Sequence, residues 1–374
     1  MIYFDNAATS FPKPRPVAKA LSDALSLFGG NPGRGAHRLS LASAEMVYDC
    51  RAAIADAFRV DTPERVVFTS GATMAINLAI RTRITRGAHL LISDREHNAV
   101  LRTVEQLRSE MGISYDVYPT SGNVIDAIEG LLRPNTVMVI ACHISNVTGF
   151  TLPIAEIGTF CEEKKLYFVV DAAQSAGSTP ISLADFPCDA FCAPAHKGLL
   201  GVSGLGFAIL SQGEERAPFI TGGSGVDSLS LTMPKTLPER YEAGTLPIPA
   251  IAALREGLRL LEREGIAATA KRENGIRQEI ANGMKGIRGV RIFEESAGKN
   301  LIAFCHERIP PDEIAHRLDE HGICVRAGYH CAPLAHRTVG TPVGGCVRVS
   351  IGYGNRFSEA AVFLNVLSDI LKRP

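Results

Sequence analysis

From about residue 43 to residue 258, short apolar segments rich in β-branched residues alternate with stretches that have helical periodicity. In the helical stretches Ala44–Phe58 and Ala72–Thr82, apolar residues recur every three or four positions. This alternation is typical of βα units around a mostly parallel sheet, and therefore of an α/β fold. The predicted strands are Val66–Thr69, His89–Ser93, Val137–Ala141, Tyr167–Val170, Ala190–Ala193 and Gly206–Leu210.

The order of elements changes after a long predicted helix at Ile251–Glu264. Four strand patterns and two helical patterns then follow without regular alternation, which predicts a separate, smaller α+β domain. They are Val290–Phe293, Leu301–Cys305, a helix at Pro311–His321, Cys324–Arg326, Val347–Ile351 and a helix at Ser358–Lys372. We therefore expect a large domain over residues 15–250 and a small domain over 251–374, with residues 1–14 packing near the small one.

Composition narrows the function classes. The 374 residues suggest roughly two packed domains, and 39 basic against 39 acidic side chains disfavour direct binding of nucleic acid. No secretory signal and no apolar run of about 18 residues is visible, so we expect a soluble, cytoplasmic protein without membrane contact. Nine cysteines without a CxxC pair argue against both a disulfide framework and a structural zinc site.

Three local patterns could carry chemistry. The first is a strand, a small-residue turn and a helix start over residues 66–77, where helix amides suit a phosphate, although such a pattern alone is more often an ordinary N-cap. In the second pattern Asp171 ends an apolar strand, where it could pair with a cationic ring nitrogen or merely cap a turn. Lys197 follows the next strand and could form a Schiff base, although a lone turn lysine is usually just solvated.

Taken together, these patterns resemble those of the cysteine desulfurase and selenocysteine lyase family, a class-V aminotransferase group of the fold-type I pyridoxal-phosphate enzymes. The matching segments extend over the whole chain. They are Tyr3–Thr9, Asn31–Arg38, Glu96–Val100, His143–Gly149, Asp171–Gln174, His196–Lys197, Glu242–Thr245, Arg326–Pro333 and Arg348–Ser350. The resemblance implies a large domain with a mostly parallel central sheet, a smaller C-terminal α+β domain, and pyridoxal 5'-phosphate as cofactor.

The resemblance also implies a role for individual side chains. Lys197 would bond the cofactor and move protons at the substrate α-carbon, Asp171 would pair with the ring nitrogen, and His97 would stack on the ring and assist acid–base steps. Gln174 would bond the ring oxygen, with Ala72, Ala173 and Asn146 also near the cofactor. Thr73 and His196 would hold the phosphate, and Thr245 would reach it from a partner subunit, which implies a homodimer.

The family position three before the lysine usually holds a phosphate-binding serine, and here it is Pro194. Proline offers neither hydroxyl nor N–H, so the phosphate would depend more on Ser70, Thr73 and backbone amides. In the same family, the arginine that matches Arg348 grips the substrate carboxylate. Arg34 and His37 would line the entrance.

Cys331 matches the cysteine that, in the desulfurases, takes sulfur from L-cysteine as a persulfide and leaves L-alanine. Arg326 and His330 could favour its thiolate, whereas Cys346 is a lesser candidate that alternation places on the strand face of Arg348. Only 17 positions separate Cys331 from Arg348, a short connection that favours a protein sulfur acceptor docking close to the pocket. Selenocysteine lyase activity, or an aminotransferase or other lyase that does not use Cys331, remains an alternative.

Overall fold

The computed structural model describes residues 1–33, 35, 37–211, 217–218, 220–293 and 299–372. The strands are β1 Ile2–Tyr3, β2 Val66–Thr69, β3 His89–Ser93, β4 Ser114–Tyr118, β5 Thr136–Cys142, β6 Tyr167–Asp171, β7 Ala190–Pro194, β8 Gly206–Leu210, β9 Val290–Ile292, β10 Leu301–His306, β11 Ile323–Cys324, β12 Arg326–Gly328 and β13 Cys346–Ser350. The helices are α1 Arg15–Leu27, α2 Arg38–Phe58, α3 Ala72–Arg81, α4 Asn98–Met111, α5 Val124–Glu129, α6 Ile154–Glu163, α7 Ile248–Glu264, α8 Ile266–Met284, α9 Pro311–Glu320, α10 Pro333–Val339 and α11 Phe357–Lys372.

A seven-stranded sheet in the order β2-β8-β7-β6-β5-β3-β4 forms the centre of the molecule. The pairs from β7 through β6, β5 and β3 to β4 are parallel, while β8 runs antiparallel to both of its neighbours. Its middle strands are apolar throughout because helices cover both faces, and Phe168, Val169 and Val170 of β6 are all buried. The predicted α/β fold with a mostly parallel sheet is confirmed.

The second sheet is smaller and antiparallel, in the order β12-β13-β10-β9. Helices α8, α9 and α11 pack on it around Phe304, Phe363 and Ile276, which are all fully buried. Helix α7 packs instead on α1 and α2, and its Leu254 and Leu258 belong to the core of the large sheet.

The predicted strand at Cys324–Arg326 is wrong as a single element. The chain forms two short strands there, β11 and β12, which lie in different sheets on either side of Val325. β11 pairs in parallel with β1, so the first residues of the chain lie against a segment near its end. Asn6 continues this contact, because its side-chain amide donates to the Ser350 carbonyl.

No helix in the described part of the chain is long and apolar enough to cross a membrane. All nine cysteines are free thiols.

Candidate active site

A cavity of about 370 Å³ lies at the carboxyl edge of the large sheet, where the predicted chemical residues meet. β6 ends in Asp171 and β7 leads into His196 and Lys197, so the parallel strands deliver these side chains to the same edge. The cavity is lined by Ala7, Ala8, Ser70, Gly71, Ala72, Thr73, Met74, Ile76, His97, Ala99, Cys142, Ile144, Asn146, Asp171, Ala173, Gln174, Pro194, His196, Lys197, Ser203, Gly204, Arg326, His330 and Arg348.

The N-terminus of α3 forms one wall of the cavity. Its first turn leaves the N–H groups of Ala72, Thr73 and Met74 without intrahelical acceptors, and these amides with the helix dipole favour an anion. The N-cap residue Gly71 has a φ of 148°, a conformation that L side chains rarely adopt. Gly206 of β8 packs so closely behind it that a Cβ would lie 2.6 Å from the Gly71 carbonyl carbon.

Lys197 and Asp171 form the electrostatic centre of the cavity. Burial lowers the pKa of Lys197 to about 8; the carboxylate of Asp171 opposes this shift and the guanidinium of Arg348 adds to it. Burial also raises the pKa of Asp171, against a 2.9 Å hydrogen bond that its Oδ1 accepts from the Ala173 N–H. A substantial fraction of the Lys197 amine is therefore neutral near pH 8, as a nucleophilic amine requires.

His97 faces the cavity from the start of α4. Its Nδ1 caps this helix by accepting the Ala99 N–H at 3.0 Å, which places the proton of the neutral ring on Nε2. Burial, followed by the charges of Lys197 and Arg326, lowers the pKa of His97 to about 4. The ring is therefore neutral at physiological pH.

Arg348 lies buried on β13 and brings the small sheet to the cavity. Its Nη2 bonds Asp5 Oδ1 at 2.7 Å, and its Nη1 donates to the Asn146 carbonyl at 2.9 Å. Three buried polar atoms of cavity residues have no hydrogen-bond partner among the described residues: Arg348 Nε, Asn146 Oδ1 and His196 Nδ1. Unpaired buried groups of this kind are costly, so they mark positions where a polar ligand would bind.

Cys331 lies on an exposed turn directly after the cavity residue His330. Both residues have positive φ, 50° and 56°, and such strain persists only where surrounding contacts enforce it. The Asn146 side chain donates to the His330 carbonyl and the Asn98 N–H donates to the Cys331 carbonyl, each at 2.7 Å. Hydrogen bonds thus hold the turn at both His330 and Cys331.

Of the two residues expected to give Cys331 cationic surroundings, His330 carries no charge. Burial and then the charge of Arg348 lower the pKa of His330 to about 2, so this imidazole is neutral. Arg326 lines the cavity. Cys346, the lesser candidate, is fully buried in a small apolar cluster.

The other predicted residues line the cavity, are exposed away from it, or lie outside the described part of the chain. Ala173, Gln174 and His196 line the cavity, and the Gln174 amide donates to the Ala7 carbonyl at 3.0 Å. Thr245 is exposed on the loop before α7, and His37 is exposed at the start of α2, where it caps the helix. Arg34 lies outside the described residues.

Two cavity-side groups had no assigned role in the sequence analysis. Glu96 is fully buried, and its Oε1 accepts the Ser93 hydroxyl at 2.5 Å and the Cys142 N–H at 2.7 Å. Burial raises its pKa to about 8, so this carboxyl is protonated at neutral pH and adds no second charge beside Asp171. In the sequence, the only indication of a role for Glu96 is its position next to His97, and nothing in the sequence indicates a role for Cys142.

The aminotransferase class-V family model matches residues 2–363. A probable cysteine desulfurase of Methanothermobacter thermautotrophicus is 31% identical over 99% of this chain and 94% of its own length. One from Pyrococcus abyssi is 29% identical over the whole chain and 94% of its own length. The apo structure of a cysteine desulfurase from Thermococcus onnurineus superposes with a TM-score of 0.92 at 28% identity, covering 99% of this chain and 94% of that one.

Proposed function

This chain belongs to the class-V aminotransferase family, and from that premise we propose that it is a pyridoxal-phosphate-dependent cysteine desulfurase that converts L-cysteine to L-alanine. The relatives named above carry this activity in their names. The observation that carries the proposal is the joining of Lys197, Asp171, His97 and Arg348 in one cavity, with Cys331 on the adjacent fastened turn.

The residues of the cavity fit pyridoxal phosphate. The amides of α3, with Thr73 and the unpaired His196 Nδ1, would hold the phosphate, while Asp171 would pair with the ring nitrogen. His97 would lie against the ring and Gln174 would bond its oxygen. When bound, the cofactor supplies an electron sink for the electron pair left at the substrate α-carbon.

Lys197 serves first as the amine that holds the cofactor and then as the base that moves the α-proton. Its lowered pKa of about 8 suits both tasks, because each needs a neutral amine at physiological pH. Arg348 binds the substrate carboxylate with Asn146 beside it, and the unpaired Arg348 Nε is ready to donate.

Cys331 then takes the sulfur. Its thiolate attacks the substrate sulfur, so that an S–S bond forms as the substrate Cβ–S bond breaks. The electron pair of the broken bond stays on Cβ, which gains a proton and becomes the methyl group of alanine. The exposed turn presents the persulfide to a protein acceptor that docks close to the cavity, whose wall includes Arg326.

The test compares wild type with Cys331→Ala, and with Cys324→Ala as a matched control in a half-buried cysteine of the small domain. Alanine and sulfide are measured from L-cysteine with added cofactor and reductant. We expect equimolar products from wild type and control, no product from Cys331→Ala, and one added sulfur atom on the Cys331 peptide by mass spectrometry. Alanine formation that survives in Cys331→Ala, or none from cofactor-loaded wild type, contradicts the proposal.

We also propose a homodimer in which Thr245 of each subunit completes the phosphate site of the other. Thr245 is exposed on the loop before α7, which supports a contact between subunits. Sedimentation of the holoenzyme should give a dimer, and Thr245→Ala should retain less cofactor. A monomeric holoenzyme would rule this arrangement out.

A further inference from the structure

A second cluster of metal-ligating side chains lies behind the turn that carries Cys331. His330, His336 and Cys346 each place one ligand atom within 4.8 Å of the other two. They come from the turn between β12 and α10, from α10 and from β13, and are 4%, 3% and 0% exposed respectively. We call these three residues the His–His–Cys cluster.

The spacing of its atoms is close to that of the ligands around a tetrahedral metal ion. His330 Nδ1 lies 3.4 Å from His336 Nε2, and Cys346 Sγ lies 3.9 Å from the same Nδ1. Zinc bonds of about 2.0–2.1 Å to nitrogen and about 2.3 Å to sulfur place tetrahedral ligands roughly 3.4 Å (N to N) and roughly 3.6 Å (N to S) apart. The observed N–N separation equals its tetrahedral value, and the observed N–S separation exceeds its own by roughly 0.3 Å.

The outer nitrogens of both rings have the partners that metal-binding histidines use. His330 Nε2 lies 3.3 Å from the Arg326 carbonyl, which can only accept, so this nitrogen carries the proton and Nδ1 keeps its lone pair. His336 Nδ1 lies 2.9 Å from Thr341 Oγ1. Such second partners fix the ring orientation and direct the other nitrogen at the metal.

We propose that the His–His–Cys cluster is a tetrahedral site for Zn²⁺ or a chemically similar divalent transition metal, with the fourth position open to water. The ion would bind the two imidazoles and the Cys346 thiolate, and the displaced thiol proton would pass to solvent. His330 lines the central cavity, which gives the ion a route inward. Because His330 precedes Cys331, a bound ion would further fix the sulfur-accepting turn. The site does not depend on the proposed desulfurase activity.

The test is a Co²⁺ titration of the purified holoenzyme, with Zn²⁺ content measured after gel filtration. Tetrahedral Co²⁺ gives visible d–d bands at longer wavelengths than the cofactor absorbs. We expect one Co²⁺ per chain, displaced by one Zn²⁺. The bands should disappear in Cys346→Ala and in His336→Gln, and Thr341→Val should bind Co²⁺ about 10–100-fold more weakly.

Two controls separate this site from other thiols. Cys305→Ala removes a buried thiol from β10, the strand paired with β13 and packed in the same apolar cluster, and should keep the bands. Cys331→Ala should keep them as well, which excludes the exposed thiol as the ligand. Absence of tetrahedral Co²⁺ and of retained Zn²⁺ in wild type overturns the proposal, as does an unchanged spectrum in Cys346→Ala. If that variant does not fold, His336→Gln decides alone.

Discussion

The lowered pKa of Lys197 can be tested on the cofactor-free protein without measuring any turnover. At pH 7.5 a pKa of about 8 leaves roughly a quarter of the amines neutral, whereas the ordinary value of 10.5 leaves about one in a thousand. Lys197 should therefore react with a small acylating reagent much faster than its accessibility alone predicts. Lys372, an exposed lysine of α11, is the matched internal control.

The assay is competitive labelling with acetic anhydride, read by mass spectrometry across a range of pH. We expect the labelling of Lys197 to reach half its maximum near pH 8. The carboxylate of Asp171 raises the Lys197 pKa and the guanidinium of Arg348 lowers it, so Asp171→Asn should move the midpoint down and Arg348→Gln should move it up. A Lys197 midpoint equal to that of Lys372, or a midpoint that rises in Asp171→Asn, would refute the reasoning.

Three further predictions concern stability and cofactor retention. Arg51→Ala leaves the buried Glu242 carboxylate without its cationic partner, so it should lower the free energy of unfolding in urea by about 3–5 kcal/mol. The control Lys19→Ala breaks an exposed ion pair and should lower it by less than about 1 kcal/mol. Equal losses of stability in the two variants would contradict this prediction. Gly206→Ala pushes on the Gly71 backbone and should reduce the cofactor absorbance of the purified protein, whereas Gly29→Ala, with open space at its Cβ, should not. Pro194→Ser adds a hydroxyl to the cavity wall and should tighten cofactor binding in a fluorescence titration, and unchanged affinity would show that the phosphate is held elsewhere.

The strands of the large sheet can be predicted from the sequence where their side chains are fully buried. β2, β3 and β8 have the predicted bounds, because a buried apolar centre identifies each strand in the sequence. β4 was not predicted, since Ser114–Tyr118 is an edge strand with mixed polarity and mostly half-buried side chains. Helix α2 starts at Arg38, before the predicted Ala44, because the His37 ring caps its first turn by accepting the Ser40 N–H.

The residues of the candidate site also divide into those that the sequence can predict and those that it cannot. Asp171 and Lys197 are predictable because each follows a strand of the same parallel sheet. The partner of Arg348 is not, since Asp5 lies 343 positions away and only the tertiary fold brings the two together. The His–His–Cys cluster likewise has no signature spacing, and the sequence argued against a structural zinc site. Its three residues come together only when β13 pairs with β12 in the folded chain.

The parallel pairing of β1 with β11 has a consequence for synthesis on the ribosome. The first strand to leave the exit tunnel has no partner until residues 323–324 have been made, and Asp5 waits longer still for Arg348. The large sheet, whose strands end at residue 210, can form well before that. The Lys197 end of the cavity is thus assembled early and the Arg348 end last, so under the proposed function a nascent chain would hold its cofactor-binding residues before the arginine for the substrate carboxylate is in place.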